Sequence, residues 1–473
     1  MRSPHSALLA VVASIGLGAC AVLPAPNRAV PDNINTPTSW QAPLPHDGKV
    51  ADLGRWWQQF DDRLLADLID KAQAASPSIA SARSRIEQAR ATRVASGAAL
   101  GPAVNASASA SRGKQDLSSP VGTALSAGVQ ASWEIDLFGA NAAGRDAAQA
   151  RLDGAQANWH DARVSVAAEV ANSYLALRAC EAQAAQTQLD ATSRAETSRL
   201  TELSAKAGFQ PPANAALARA SAAQAKATLT QQRANCELSV KALVALTGLT
   251  EPALRAQLAA NTAHLPQPAQ ITVASVPAEA LSQRPDVFSA GRDLVAASAD
   301  ISQVQAQRLP RISLAGNIGP ARFESGVGTI SGTVWSIGPL AVSLPLFDGG
   351  TRRANVDAAK ARYDDALAGY QGRLRRAVRE VEEALVNLQS TGDRGGDAQV
   401  ASEGFEASYR ATEARFKGGL ASLFELEDAR RSAVQAQSAL IDLQRERVAA
   451  WISLYRALGG GWTAATITQS ASR

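Results

Sequence analysis

Two stretches of this chain run for more than sixty residues without a proline, from about Ala140 to Ala207 and from about Arg352 to Lys417. Both are rich in alanine, the strongest helix former, and at 1.5 Å per residue each predicts a helix of roughly 100 Å. Helices of ordinary globular domains are several times shorter, and an uninterrupted pattern of this length suggests a coiled coil. The second stretch shows the seam: Leu374, Val378, Val381, Leu385 and Leu388 follow at spacings of four and three, and the first carries Val170, Tyr174 and Leu177 in a similar stripe. Each closes in a short turn, "KAGFQPPAN" at 206–214 and "FKGGLAS" at 416–422, followed by a return helix. A helical hairpin of that length cannot bury itself in one small core and has to pack side by side with copies of itself. The 473 residues therefore do not divide into the several compact domains that length alone suggests. Aromatics at 5% fit thin, closely packed seams.

The approach to each long helix is also written twice. "EIDLFGANAAGRDAAQA" (134–150) and "VSLPLFDGGTRRANVDAAKA" (342–361) both pass from strand-like alternation through Leu-Phe and a glycine turn into helix. Pro77 and Pro102 correspond to Pro285 and Pro310 at a shift of 208, Phe138 to Phe347 at 209, and Gly208 to Gly418 or Gly419 at about 210. Such slight drift indicates a duplicated unit of helix, β-hairpin, long helix, turn and helix. In the first half a helix from about Ser78 to Leu100 stops before Pro102, and strands are expected near 103–111 and 124–137. Leu125, Ala127, Val129, Ala131, Trp133, Ile135 and Leu137 line one face of the second strand, with Ser126, Gly128, Gln130, Ser132, Glu134 and Asp136 on the other. In the second half Leu340, Val342, Leu344 and Leu346 alternate with Ala341, Ser343, Pro345 and Phe347, after a shorter pattern at Ile312 and Leu314. The divisions expected are a first repeat at 56–283, with its β-hairpin at 103–137 and tip near 208, and a second at 284–462, with its β-hairpin at 311–347 and tip near 418.

Residues 1–19 read as a removed signal peptide: Arg2 supplies charge, Ala7 to Leu17 an apolar core and "LGAC" a small-residue cleavage site. That site resembles a bacterial lipobox, which makes Cys20 the lipidated first residue of the mature chain; the alternative is an ordinary secretory signal with a chance cysteine. Ala21 follows Cys20 in place of the aspartate linked to inner-membrane retention, which favours the outer membrane. Residues 20–55 form a proline-rich leader, and 463–473 a tail. No segment holds eighteen uninterrupted apolar residues, so a membrane crossing would need strands closed into a barrel. Four strands are too few, since even the smallest such barrels use about eight. Four per chain imply an oligomer, and three chains would supply twelve. The competing reading is a half-buried hairpin in a soluble sheet.

Cys180 and Cys236 have residue 208 as their midpoint, so in a hairpin turning there they lie level on facing helices. In a secreted chain the pair is a disulfide candidate; two buried free thiols are the alternative. The net charge of +4 is slight and interspersed, which argues against nucleic acid. The histidines His5, His46, His160 and His264 are scattered, no metal-ligand spacing or phosphate loop occurs, and no catalytic constellation is present. The chain is expected to be no enzyme and to carry no cofactor beyond the lipid on Cys20.

The residues resemble the TolC-type outer-membrane factors in their lipoprotein (NodT-type) branch. The carriers are "LGAC" at 17–20, "WWQQFDDRLLADLIDKA" at 56–72, "WEIDLFG" at 133–139, "RPDV" at 284–287, "RLPRISL" at 308–314, "PLFDGG" at 345–350 and "LYRALGGGW" at 454–462. The resemblance implies a mainly α fold with a transmembrane β portion: a homotrimer sharing a twelve-stranded β-barrel in outer-membrane lipid, continued by a long periplasmic α-helical barrel. It implies an exit duct of a tripartite efflux system, with a periplasmic adaptor and an inner-membrane transporter of the resistance-nodulation-division type as partners. By the same resemblance Phe424, Glu425 and Asp428 belong to a periplasmic gate, and Gly208, Asn214, Arg415, Gly418 and Gly419 to adaptor-contacting tips. The plainer reading of the charges is that acids open the return helix while Arg415 and Lys417 close the long one, each complementing a helix dipole. The first tip departs from the family, with Pro211 and Pro212 in the turn and Asn214 where aspartate is usual. The rival readings are a duct for type I protein secretion or metal-ion efflux, a non-conducting coiled-coil lipoprotein and a soluble periplasmic enzyme. Only Met1 is a methionine, which argues against soft-metal export.

Overall fold

The computed structural model of the protein describes residue 41 and residues 53–114, 121–267, 281 and 283–462. The signal segment, Cys20, most of the leader and the tail lie outside them. A 3₁₀ turn at Leu53–Phe60 is followed by α1 (Arg63–Ala75), α2 (Pro77–Ala98), β1 (Ala103–Gly113), β2 (Gly122–Ile135), α3 (Ala140–Lys206), α4 (Pro212–Thr247) and α5 (Glu251–Leu258). Then come α6 (Pro285–Ala306), β3 (Arg311–Ser325), β4 (Gly328–Ser343), α7 (Thr351–Lys417) and α8 (Leu423–Ala457). The described chain is thus mainly helical with one four-stranded sheet. The two long helices have 67 residues each, α2 and α6 have 22 each, and a proline opens both shorter ones. Two units are separated by their packing: 85–155 with 289–371, and 53–84 with 156–288 and 372–462, among the described residues.

In the first unit the sheet runs β1-β2-β3-β4, antiparallel throughout. Paired residues share a face, so the register extends one apolar face across all four strands. Val104 stands opposite Ala131, Trp133 opposite Leu314, and Leu314 opposite Leu340. The other face carries Asn105, Ser107 and Ser109 opposite Gln130, Gly128 and Ser126. β2 and β3 pinch where Gly128 meets Gly319: a Cβ on Gly319 would fall 2.0 Å from the Ala127 carbonyl oxygen, so only glycine fits. Where each long helix begins, an aspartate accepts from its first amides. Asp136 takes those of Asn141 and Ala142 at 3.1 and 2.7 Å, and Asp348 those of Gly350 and Arg352 at 3.0 and 3.1 Å. That gives "IDLFG" and "LFDGG" a local reason, the cap that starts a helix. Between the helices, Leu294 and Ile301 of α6 pack with Ala359 and Tyr363 of α7.

β3 and β4 run well beyond the short alternation visible in the sequence. A bulge between Leu314 and Gly316 places one extra residue on β4, which reverses its parity. Leu340 and Val342 therefore share a face with Ile337 and Trp335, and no single period-two stripe can be read through them. Leu344, Leu346 and Phe347 lie past the end of β4, and Leu137 past the end of β2.

The second unit holds the main core. Leu65, Leu68, Val170, Tyr174, Leu177, Leu243, Leu254, Val381, Leu385, Trp451, Ile452 and Leu454 are buried in one cluster drawn from α1, α3, α4, α5, α7 and α8. Both coiled-coil stripes face inward here, with Val378 partly buried against them. Trp56 packs edge-on against Trp451 with ring centroids 6.2 Å apart, and Trp57 against Tyr455 at 4.8 Å. The motif at 56–72 is thus bound to the one at 454–462. Arg284 of "RPDV" is buried and donates to Asp286 at 2.9 Å, to Glu380 at 2.8 Å and to the carbonyl of Ala457 at 2.9 Å. Tyr174 donates to Asp62 at 2.6 Å, the residue whose other oxygen caps α1.

Candidate functional site

The residues singled out at the two turns belong to the second unit. Both long helices end in the same hydrogen-bond pattern. After α3 the amides of Phe209 and Gly208 donate to the carbonyls of Ser204 and Ala205; after α7 those of Leu420 and Gly419 donate to Arg415 and Phe416, at 2.8–3.1 Å. This is the Schellman termination, which needs a left-handed residue. Gly208 at φ +80° and Gly419 at φ +73° supply it. Gly418 has no such angle and serves as an ordinary last-turn residue. Each turn also exposes a large apolar side chain, Phe209 at 84% and Leu420 at 73%.

The return helices begin differently. α4 starts on Pro212 behind Pro211 with no side-chain cap, and Asn214 donates its amide to Gln210 Oε1 at 2.8 Å. α8 starts with a capping box: Ser422 Oγ accepts from the Glu425 amide at 3.1 Å while the Glu425 carboxylate accepts from the Ser422 amide at 2.7 Å. The Ser422 amide holds the Glu425 carboxyl below its usual range, helped by the Ser422 side chain. Arg415 donates to the Leu420 carbonyl at 3.1 Å and stands 4.0 Å from Glu425. Phe424 is 76% exposed, and Asp428 pairs with Arg431 on the open side of α8. Glu425 is therefore a capping residue, whereas Phe424 and Asp428 project away from their own chain's core.

One residue earlier, Glu427 turns the other way and joins the two hairpins. It pairs with Arg430 of its own helix at 2.5 Å and with Arg194 of α3, and accepts from Ser221 Oγ of α4 at 2.8 Å. Arg194 also pairs with Asp190 at 2.9 Å. Arg430, only 2% exposed, donates further to Thr197 at 2.9 Å and Ser193 at 3.1 Å and lies 5.4 Å from the ring centre of Tyr409 of α7. One carboxylate thus serves two arginines in a largely buried seam, with Arg194 shared between Glu427 and Asp190. The signal that the sequence carries for Glu427 is the Glu-x-x-Arg spacing in "ELEDARR".

Cys180 of α3 and Cys236 of α4 are joined by a disulfide, with Cα atoms 5.5 Å apart. Among the described residues no group of His, Cys, Asp or Glu side chains could hold a metal ion, and no helix is long and apolar enough to cross a membrane.

The model of the outer membrane efflux protein family matches residues 68–249 and 276–460. The outer membrane protein OprJ of Pseudomonas aeruginosa is 30% identical over 472 residues, covering 98% of this chain and 97% of that one. Nodulation protein T of Rhizobium leguminosarum bv. trifolii is 27% identical, with 95% and 96% covered. Among solved structures the outer-membrane channel OprN superposes with a TM-score of 0.80 at 27% identity, over 90% of this chain and 98% of that one.

Proposed function

The chain belongs to the outer membrane efflux protein family, and we propose that three copies form its exit duct, conducting small molecules outward from a periplasmic adaptor and an inner-membrane pump of the resistance-nodulation-division type. The observation that carries this reading is the sheet. Four strands of 11 to 16 residues present an apolar face on which Val104, Ile318, Trp335, Ile337, Leu340 and Val342 are exposed. A soluble sheet would cover such a face; a lipid-facing one leaves it bare, with polar residues toward a lumen. Four strands cannot close, and three chains complete a barrel of twelve. The matched lengths of α2 with α6 and of α3 with α7 support two repeats of one unit.

In this reading the hairpins form the periplasmic barrel. The turns at Gly208 and Gly418–Gly419, with Asn214 and Arg415, meet the adaptor. Phe424 and Asp428, which leave their own chain's core, face the axis as a threefold apolar and acidic constriction, with Glu425 holding the helix start in place. Lipid on Cys20 anchors the mature chain to the outer membrane. The test is light scattering of the detergent-extracted mature protein, with recordings of Asp428→Ala on the same preparation. The account expects a trimer whose cation selectivity falls in the variant. A monomer, or a trimer with unchanged conductance and selectivity, would contradict it.

A further inference from the structure

We propose that the outward face of the sheet ends in a binding site for the phosphate groups of outer-leaflet lipid, built on Arg112 and Arg322. This rests on the duct reading, in which the strand ends remote from the helices lie outside the cell. The register puts Ala110, Leu125, Arg322 and Ser331 in one cross-strand row, and Arg112, Thr123, Glu324 and Thr329 in the next. Both rows lie on the apolar face. The face therefore changes character abruptly. From Ile135 up to Leu125 the β2 residues that point outward are all apolar. One step further they give way to Thr123, flanked by Arg112 and Glu324, with Arg322 beside Leu125 in the row before.

The distribution of charge over the strands makes the change specific. β1 to β4 contain five charged residues: Arg112, Glu134, Arg311, Arg322 and Glu324. Glu134 and Arg311 sit at the helical end on the polar face, level with Ser313 and Ser343. The other three sit together at the far end on the apolar face. The polar face inverts at the same height, since Phe323 turns inward there and covers Gly122, whose Cβ would meet its ring at 2.3 Å.

The height is that of a headgroup. The outward apolar stretch on β2, from Leu125 to Ile135, spans ten residue steps, roughly 33 Å along the strand. Tilted by about 40°, it covers about 25 Å, the thickness of the apolar band of outer-membrane barrels. The arginine rows begin where that band ends. Two strand spacings and two residues separate Arg112 from Arg322, roughly 12 Å between Cα atoms, so their guanidinium groups can converge on one phosphorylated headgroup. Arg322 is paired with Glu324 at 3.1 Å with both side chains more than half exposed, a contact worth little in water. Arginine forks match phosphate oxygens in pairs, and Thr123, Thr329 and Ser331 add hydroxyl donors beside them. With two arginines against one glutamate, the cluster favours an anion.

The test is native mass spectrometry of the detergent-extracted protein titrated with bisphosphorylated lipid A and with its enzymatically dephosphorylated form. The wild type is expected to hold the phosphorylated lipid at least about five-fold more tightly. Arg112→Gln/Arg322→Gln should lose that preference and bind the dephosphorylated form as before, while Arg112→Lys/Arg322→Lys should keep most of it. A preference that survives in the glutamine variant, or none in the wild type, overturns the inference. Insertion into planar bilayers separates this from the duct reading. Wild-type protein that inserts and conducts without phosphate preference sinks the site alone, and protein that never inserts sinks both.

Discussion

The two helical hairpins share their lengths and their Schellman turns yet are held by different means. The first, α3 with α4, is closed by a covalent bond between Cys180 and Cys236. Its glycines Gly144 and Gly154 lie near the start of α3, where a Cβ would press on Gln303 at 2.8 Å and Ser289 at 3.3 Å. They are there for close packing. The second, α7 with α8, has no such bond. α7 carries Gly369, Gly372, Gly392, Gly395, Gly396 and Gly404, and at each a Cβ would enter open space. Nothing within this chain's own packing asks for glycine at these positions, and each costs up to about 1 kcal/mol relative to alanine. Near the turns the second hairpin is tied to the first by polar contacts centred on Glu427, which meets Arg194 and Ser221, with Arg430 on Thr197 and Ser193 and Tyr409 on Ser193 beside it. One hairpin is closed by a covalent bond, and the other is tied to it near the turns by polar contacts that can break.

The largest effect that would sharpen this contrast is removal of the disulfide. The cysteines are 56 residues apart, and without the bond the unfolded chain regains entropy that destabilises the fold by about 4 kcal/mol. Cys180→Ser/Cys236→Ser should lower the melting temperature and speed amide exchange in α3 and α4, leaving α7 and α8 nearly as before. Equal acceleration in both hairpins would erase the distinction. Next comes Glu427→Gln, which leaves Arg430 buried and Arg194 half-satisfied; breaking such a pair from one side costs about 3 kcal/mol. Faster exchange should appear over 423–431 and hardly at all near the disulfide.

The glycines give a smaller effect of opposite sign. Gly395→Ala and Gly396→Ala should each stabilise by about 0.5–1 kcal/mol and slow exchange across 392–404; destabilisation would mean that a neighbouring chain needs the space. The smallest effect lies away from the hairpin tips and serves as a control. Burial, with the nearby Arg163, lowers the pKa of His160 to about 4 from its ordinary 6.5. The folded state thus binds fewer protons than the unfolded one between those values, and stability falls as the pH drops through that window. His160→Gln should flatten that part of a melting-temperature profile without changing exchange at either tip.

Much of this was legible in the sequence because long-range order here is built from local repeats. Proline positions marked α2 and α6, proline-free alanine-rich runs marked α3 and α7, and the glycines at 208 and 418–419 marked their ends. The midpoint of Cys180 and Cys236 led to their pairing. β4 was harder to read, because a bulge reversed its parity and glycines diluted its stripe. The seam at Glu427 was hidden for another reason. Spacing within α8 announces only Arg430; Arg194 and Ser221 are brought to Glu427 by the packing of three helices, which no local pattern shows. Glu425 and Asp428 looked alike in sequence, and only the capping geometry separates them.

Single-channel recording tests the central claim most directly, with wild type, reduced wild type and Glu427→Gln compared in planar bilayers. A duct whose second hairpin yields should conduct as a trimer, with open probability rising several-fold in Glu427→Gln and changing little on reduction of the disulfide. Conductance that responds to reduction and ignores Glu427→Gln would place the moving part in the first hairpin and contradict the account.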